Sequence, residues 1–188
     1  MSISLLICLA ALVFFLVLLA LITIVYYNGF VSKKLKVENN FSQIKIQCKK
    51  RFDLVPNLVE TVKGYAKHES ETLEKVALAR AAANSAKSAQ ELAKANNMLT
   101  QTLSRLFALG EAYPDLKANV NFSSLQNELS EIEKAIAAAR SFYNDSVMIY
   151  NKAVRSFPSN LFASVFGFKN EEFFDAPEEE LQNVRVSF

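Results

Sequence analysis

Between Met1 and Ser32 the chain carries no charged side chain, and Lys33, Lys34 and Lys36 then follow almost together. The run Ile3 to Tyr27 is interrupted only by Ser4 and Thr23. At about 1.5 Å per residue a helix over it reaches roughly 37 Å, enough to cross a hydrocarbon core of about 30 Å with some tilt. This stretch is expected to be a transmembrane anchor, residues 1–32. The competing reading, a cleaved signal peptide, fits poorly. No basic residue precedes the apolar run, the run exceeds a typical h-region, and no A-x-A site follows it. Cys8 lacks the small preceding residue that lipoprotein processing favours.

The three lysines set the expected orientation. Lys and Arg accumulate on the cytoplasmic side of a span, so the N-terminus is expected outside and everything beyond about Lys33 in the cytoplasm. That places the chain in the cell inner membrane as a single-pass protein. Tyr26, Tyr27 and Phe30 stand where an interfacial aromatic belt belongs.

The remaining residues suffice for one domain with a core of its own. Four glycines and four prolines supply little turn chemistry for a many-stranded sheet. The two cysteines, Cys8 and Cys48, make no disulfide framework, in keeping with a reducing compartment. A net charge of +2 hides a split: residues 1–156 hold 19 basic and 13 acidic side chains, while residues 157–188 hold two and six. A modest basic excess suits a body beside an anionic leaflet. It is too dilute for a nucleic-acid surface, so nucleic acid is not an expected partner.

Helical periodicity dominates the rest. With Phe122 at heptad position a, Leu129, Ile136, Tyr143, Tyr150 and Phe157 follow at a; Leu125, Ile132, Ala139, Ser146 and Ala153 occupy d. Ser123 and Gln126 form a capping box at the start, and Pro158 ends the run. Ser88 and Glu91 open a second helix with Leu92, Leu99, Leu103, Leu106, Leu109 and Tyr113 on one face, stopping at Pro114. Nearer the membrane, Phe41, Ile44, Cys48, Phe52, Val55, Val59, Val62 and Ala66 repeat the pattern, with Pro56 expected to kink it. After a break near Gly64–His68, Leu73, Val76, Ala77 and Arg80 continue the face. Four helices over about 34–66, 69–85, 88–111 and 122–156, joined by short connections, predict an all-α fold: an elongated antiparallel four-helix bundle over residues 33–157, behind the single N-terminal transmembrane helix.

Residues 158–188 differ in kind. Phe162, Phe166, Phe168, Phe173, Phe174 and Phe188 lie among acids, Ser and Asn. Disordered tails are poor in aromatics, so this tail is expected to dock on the bundle, with Val184, Val186 and Phe188 extended. The alternative is a loose acidic tail whose phenylalanines await a partner.

Most catalytic chemistry lacks its residues. His68 is the only histidine, so neither a zincin pair nor a carboxylate–histidine di-metal site can be assembled. Neither phosphate-binding glycine loop is present. Cys48 sits on the apolar stripe and reads as a small buried hydrophobe. Glu60, Glu69, Glu111 and Glu133 read as solvated groups or as partners of Arg80 or Arg140. No catalytic, cofactor-binding or metal-ligating residue is therefore assigned, no cofactor is expected, and the chain is expected not to be an enzyme. The alternative is an enzyme or transport component with a Glu/Tyr/Arg site in the bundle core.

Three stretches are more specific. Residues 43–51 (QIKIQCKKR) run into 52–65 (FDLVPNLVETVKGY), then Ala66 to Glu69 and Ala79 to Ala81. Residues 111–119 read EAYPDLKAN. Ala139 and Arg140 lead to Tyr143-Asn144, Tyr150-Asn151, Phe157 to Asn160 and Gly167-Phe168. Together these resemble the LemA family of bacterial membrane-anchored proteins over nearly all of the chain beyond the anchor. The resemblance implies one N-terminal span, a cytoplasmic soluble part and a four-helix bundle of unusual handedness; it implies no reaction and no catalytic residues. Phe41 stands where relatives often carry tryptophan, and Glu133-Lys134 where the family has a Glu-Asn pair. Asp53, Pro56, Asn57, Glu60, Tyr65, Glu69, Tyr113, Asp115, Asn119, Arg140, Tyr143 and Asn144 cluster at helix ends and kinks. Asn57, Asp115 and Asn119 are expected to cap backbone groups and Arg140 to pair with a carboxylate, while the functional alternative is a surface that receives a partner. The expected role is a protein–protein interaction or scaffold module that touches the lipid bilayer and binds a membrane protein or itself.

Overall fold

A computed structural model of the chain describes residues 3–66, 70–86 and 88–174. His68 and Glu69, like Val184, Val186 and Phe188, lie outside the described residues. Every regular element within them is helical: α1 (Ile3–Lys63), α2 (Ser70–Ser85), α3 (Ala89–Ala112), α4 (Pro114–Lys117), α5 (Val120–Arg155) and α6 (Ser159–Phe166). The all-α expectation is met.

The chain divides into two compact units, Met1–Asn39 with Asp145–Glu171, and Asn40–Asn144 with Glu172–Phe188. In the first, α1 opens with an apolar stretch whose side chains from Ile3 to Val25 are almost all exposed. Among the described residues this is the one helix long and apolar enough to cross a membrane. Burial begins at Phe30 and Val37, against which α5 contributes Val147 and Tyr150 to the same core. The rest of this unit is α6 and the segment 167–171. Gly167 ends α6 in the left-handed region (φ 72°), letting the Phe168 N–H donate to the Ala163 carbonyl at 2.9 Å.

The second unit packs Ile44, Cys48, Phe52, Val55, Leu58 and Val62 of α1 with the leucine face of α3 and with Phe122, Leu129, Ile136 and Tyr143 of α5. Here α2 packs on α3 through Val76 and Ala79. The spacing of these residues is that of an amphipathic stripe, so each helix exists because its apolar face has somewhere to go. Pro56 lies inside α1, which continues past it to Lys63. The buried residues Val55, Leu58 and Val62 hold the helix on both sides of the proline.

Two local expectations are corrected, and one short helix is added where α3 stops before Pro114 as expected. The α5 helix starts earlier than the Ser123–Gln126 box: Asn119 caps it, its Oδ1 accepting from the Phe122 N–H at 3.1 Å. The preceding Pro114 opens the short helix α4, with Leu116 buried beneath it and Lys117 bound to Glu111 at 2.9 Å. Phe157, expected in the heptad seam, is 81% exposed because α5 has already ended at Arg155. The Ser88 cap agrees with expectation, its hydroxyl accepting from the Glu91 N–H at 3.1 Å.

Candidate functional site

The most polar point of the second unit's core is Arg51. Counting from Ile44 and Cys48, it falls on the buried stripe of α1, and its side chain is only 4% exposed. One guanidinium nitrogen, Nη1, donates to Asn96 Oδ1 at 2.8 Å and to Thr100 Oγ1 at 2.9 Å, both on α3. It also lies 2.7 Å from Glu133 Oε2 on α5. Asn96 in turn approaches Cys48 Sγ at 3.8 Å. A single cation thus ties three helices together through neutral and charged acceptors.

Burial pulls the Arg51 pKa down, and the Glu133 carboxylate opposes that pull. The same burial pushes the Cys48 thiol up to about 12. A thiol is nucleophilic and metal-binding as the thiolate, so at neutral pH Cys48 is the inert small hydrophobe its position suggests. A cleft of about 260 Å³ opens beside the ion pair, with Thr100, Leu103, Phe107 and Leu129 among its walls. Among the described residues no cluster of three or more His, Cys, Asp or Glu is placed to hold a metal ion.

The acids considered from sequence are not brought together. Glu60 pairs with Lys63 on an exposed face, and Glu111 with Lys117. Glu133 is paired as expected of it, but with Arg51 and not with Arg80 or Arg140. Arg51 closes the basic run Lys49-Lys50-Arg51 and so reads in sequence as solvated. Its seven-residue spacing from Ile44 was the available signal, as was the place of Asn96 between Leu92 and Leu99.

The Tyr-Asn pairs of α5 have a definite task. In the second unit Asn144 Nδ2 donates to the Phe174 carbonyl at 3.1 Å, and its Oδ1 accepts from the Phe174 N–H at 2.9 Å. The Tyr143 hydroxyl donates to the Glu172 carbonyl at 2.8 Å. Phe174 is buried, edge-on to Tyr143 and 5.8 Å from the Arg140 guanidinium carbon. In the first unit Asn151 holds Glu171 in the same way, with both bonds at 2.8 Å. Each asparagine thus bonds both the N–H and the carbonyl of one residue beyond α6, satisfying both its donor and its acceptor. Asn119 also donates to the Tyr65 hydroxyl at 2.9 Å, so one motif asparagine serves a cap and a cross-contact.

Fold and site together define an all-α protein headed by one candidate membrane-spanning helix, with a buried arginine in the core of its second unit. The chain belongs to the LemA family, whose family model matches residues 40–188. Protein LemA of Metamycoplasma hominis is 27% identical over 186 residues, covering 93% of this chain and 84% of that protein. Magnetosome protein MamQ 2 of Paramagnetospirillum magneticum is 35% identical over 72 residues, 38% of this chain and 26% of its own length. Magnetosome protein MamQ of Magnetospirillum gryphiswaldense is 33% identical over 72 residues, with the same coverage. The chain therefore spans about a quarter of the length of these magnetosome relatives.

Proposed function

We propose that this chain is a membrane-tethered interaction module, residues 1–32 forming the anchor, 33–157 a helical body and 158–188 a tail that docks on it. The observation that carries the reading is the exposed apolar opening of α1, which needs a nonaqueous surrounding over its whole length. The lysines at 33, 34 and 36 favour an inner-membrane protein with its N-terminus outside and its body in the cytoplasm.

For the body we propose an antiparallel four-helix bundle. Its support is that contacts between α1 and α5 in the second unit run in opposite senses: Asn40 with Phe142, Arg51 with Glu133. Tyr65 with Asn119, just before α5, continues the series. We assign no reaction to the chain. The most buried polar chemistry, around Arg51, is engaged with other side chains of the same helices, which suits a structural core more than a reactive centre.

Chemical crosslinking of the full chain in native membranes tests the module. The expected result is a reproducible heteromeric or homo-oligomeric adduct, diminished when residues 158–188 are deleted. Recovery of monomer alone under several crosslinking chemistries would overturn the interaction role. Digestion of the body by protease added outside intact cells would overturn the orientation.

A further inference from the structure

Helix α6 is apolar on two sides and has a described neighbour on only one. Toward α1, Phe162 stacks on Tyr26 with ring centroids 4.6 Å apart, and Phe166 meets Tyr27 edge-on at 5.1 Å. Helical spacing carries Leu161 and Val165 away from that aromatic contact. They are 57% and 78% exposed, and Phe157 in the turn before α6 is more exposed still. Apolar surface gathered in this way marks an interaction site.

We propose that the occupant of this face is the bilayer: α6 lies in the boundary between headgroups and acyl chains, with Phe157, Leu161 and Val165 in lipid. The inference rests on α1 being the membrane span and adds a second, peripheral lipid contact to it. Depth is the first argument. Tyr26 and Tyr27 close the apolar run just before Lys33 and Lys34, the level of an interfacial aromatic belt, and α6 is stacked on those same rings. Continuity is the second. Ile24, Val25 and Tyr27 are exposed on α1 at this level, so α6 widens an apolar surface that already faces lipid. Charge is the third. No residue of α6 is ionisable, so no charge must be desolvated when its outer face enters the boundary, and the exposed polar side chains Asn160 and Ser164 can stay at headgroup level.

The chain contains no tryptophan, so one introduced indole reports its own surroundings. Full-length Leu161→Trp, Val165→Trp and Phe14→Trp are reconstituted in phosphatidylcholine–phosphatidylglycerol vesicles. The vesicles contain lipids labelled with a nitroxide quencher near the headgroup or deep in the acyl chain. Glu128→Trp, on the exposed side of α5, is the aqueous reference. Phe14→Trp should be quenched best by the deep label. Leu161→Trp and Val165→Trp should be quenched about twofold better by the shallow label than by the deep one, and severalfold less by aqueous iodide than the reference. Iodide quenching equal to the reference, with no effect of either lipid label, would overturn the proposal while Phe14→Trp shows the span intact. Protection from both iodide and labelled lipid would place a protein on this face and overturn it equally. Failure of Phe14→Trp to respond to the deep label would remove the span, and the proposal with it.

Discussion

Arg51 and Glu133 meet at 2.7 Å across α1 and α5, the arginine almost wholly buried and the carboxylate 34% exposed. The asymmetry decides how the pair behaves. Arg51 depends on its partners because it has lost water, whereas Glu133 retains part of its hydration.

Glu133→Gln should therefore destabilise the chain by about 2 kcal/mol, less than the loss expected at a fully buried pair because Glu133 is partly solvated. Arg51→Met combined with Glu133→Leu should recover most of that loss, since no charge is then left buried. Urea unfolding in mild detergent, followed by circular dichroism, reads both. A double variant less stable than Glu133→Gln would show that the cost does not come from an uncompensated buried charge.

Cys48 makes stability depend on alkaline pH. Its folded pKa, about 12, lies above the ordinary 9.0, so the folded state holds the proton more tightly. The contribution is complete below pH 9 and declines as pH rises from there toward 12, by up to about 1.4 kcal/mol per pH unit. The stability of the wild-type chain relative to Cys48→Ala should thus fall between pH 9 and pH 11, where lysine and tyrosine titration is common to both. A constant difference across that range would contradict burial of the thiol.

Asn144→Ala removes both bonds that hold the Phe174 backbone and should cost about 1–3 kcal/mol locally. Asn144→Asp should do no better, since a carboxylate in place of the amide nitrogen faces the Phe174 carbonyl with an acceptor. Hydrogen exchange of the 172–174 amides measures the release. Unchanged protection in both variants would show that Phe174 burial alone seats the segment.

Gly167→Ala places a Cβ in open space but at φ 72°, so the cost is backbone strain and not collision. A loss of about 1 kcal/mol is expected, with Gly167→Asn losing less because asparagine tolerates the left-handed region better. Thermal unfolding of the three chains in the same detergent gives the ranking. Equal stability of Ala and Gly would mean that the α6 terminus adopts another conformation.

Periodicity carried most of the helical reading because burial repeats along a helix. The a positions from Phe122 to Tyr150 are buried as the heptad requires, and the break before α2 falls where the stripe lapses. Helix α4 was too short to show a period. Helix α6 was hidden because its eight residues make barely two turns, too few for the Asn160–Ser164 side to stand out from the apolar residues around it. The arginine at the centre of the candidate site was hidden for the opposite reason, its charge suggesting solvent while its spacing placed it inside.

By itself the sequence determined the uncharged opening, the helical class and the family, because hydrophobic spacing and ungapped motifs are properties of neighbours along the chain. Only the tertiary structure decided that Arg51 joins Asn96 and Glu133, that Asn144 and Asn151 hold backbone at Phe174 and Glu171, and that α6 stacks on Tyr26. Each of these contacts joins residues at least 20 positions apart. Their partners were selected by which faces meet when the helices pack, and that choice is not encoded in any local pattern.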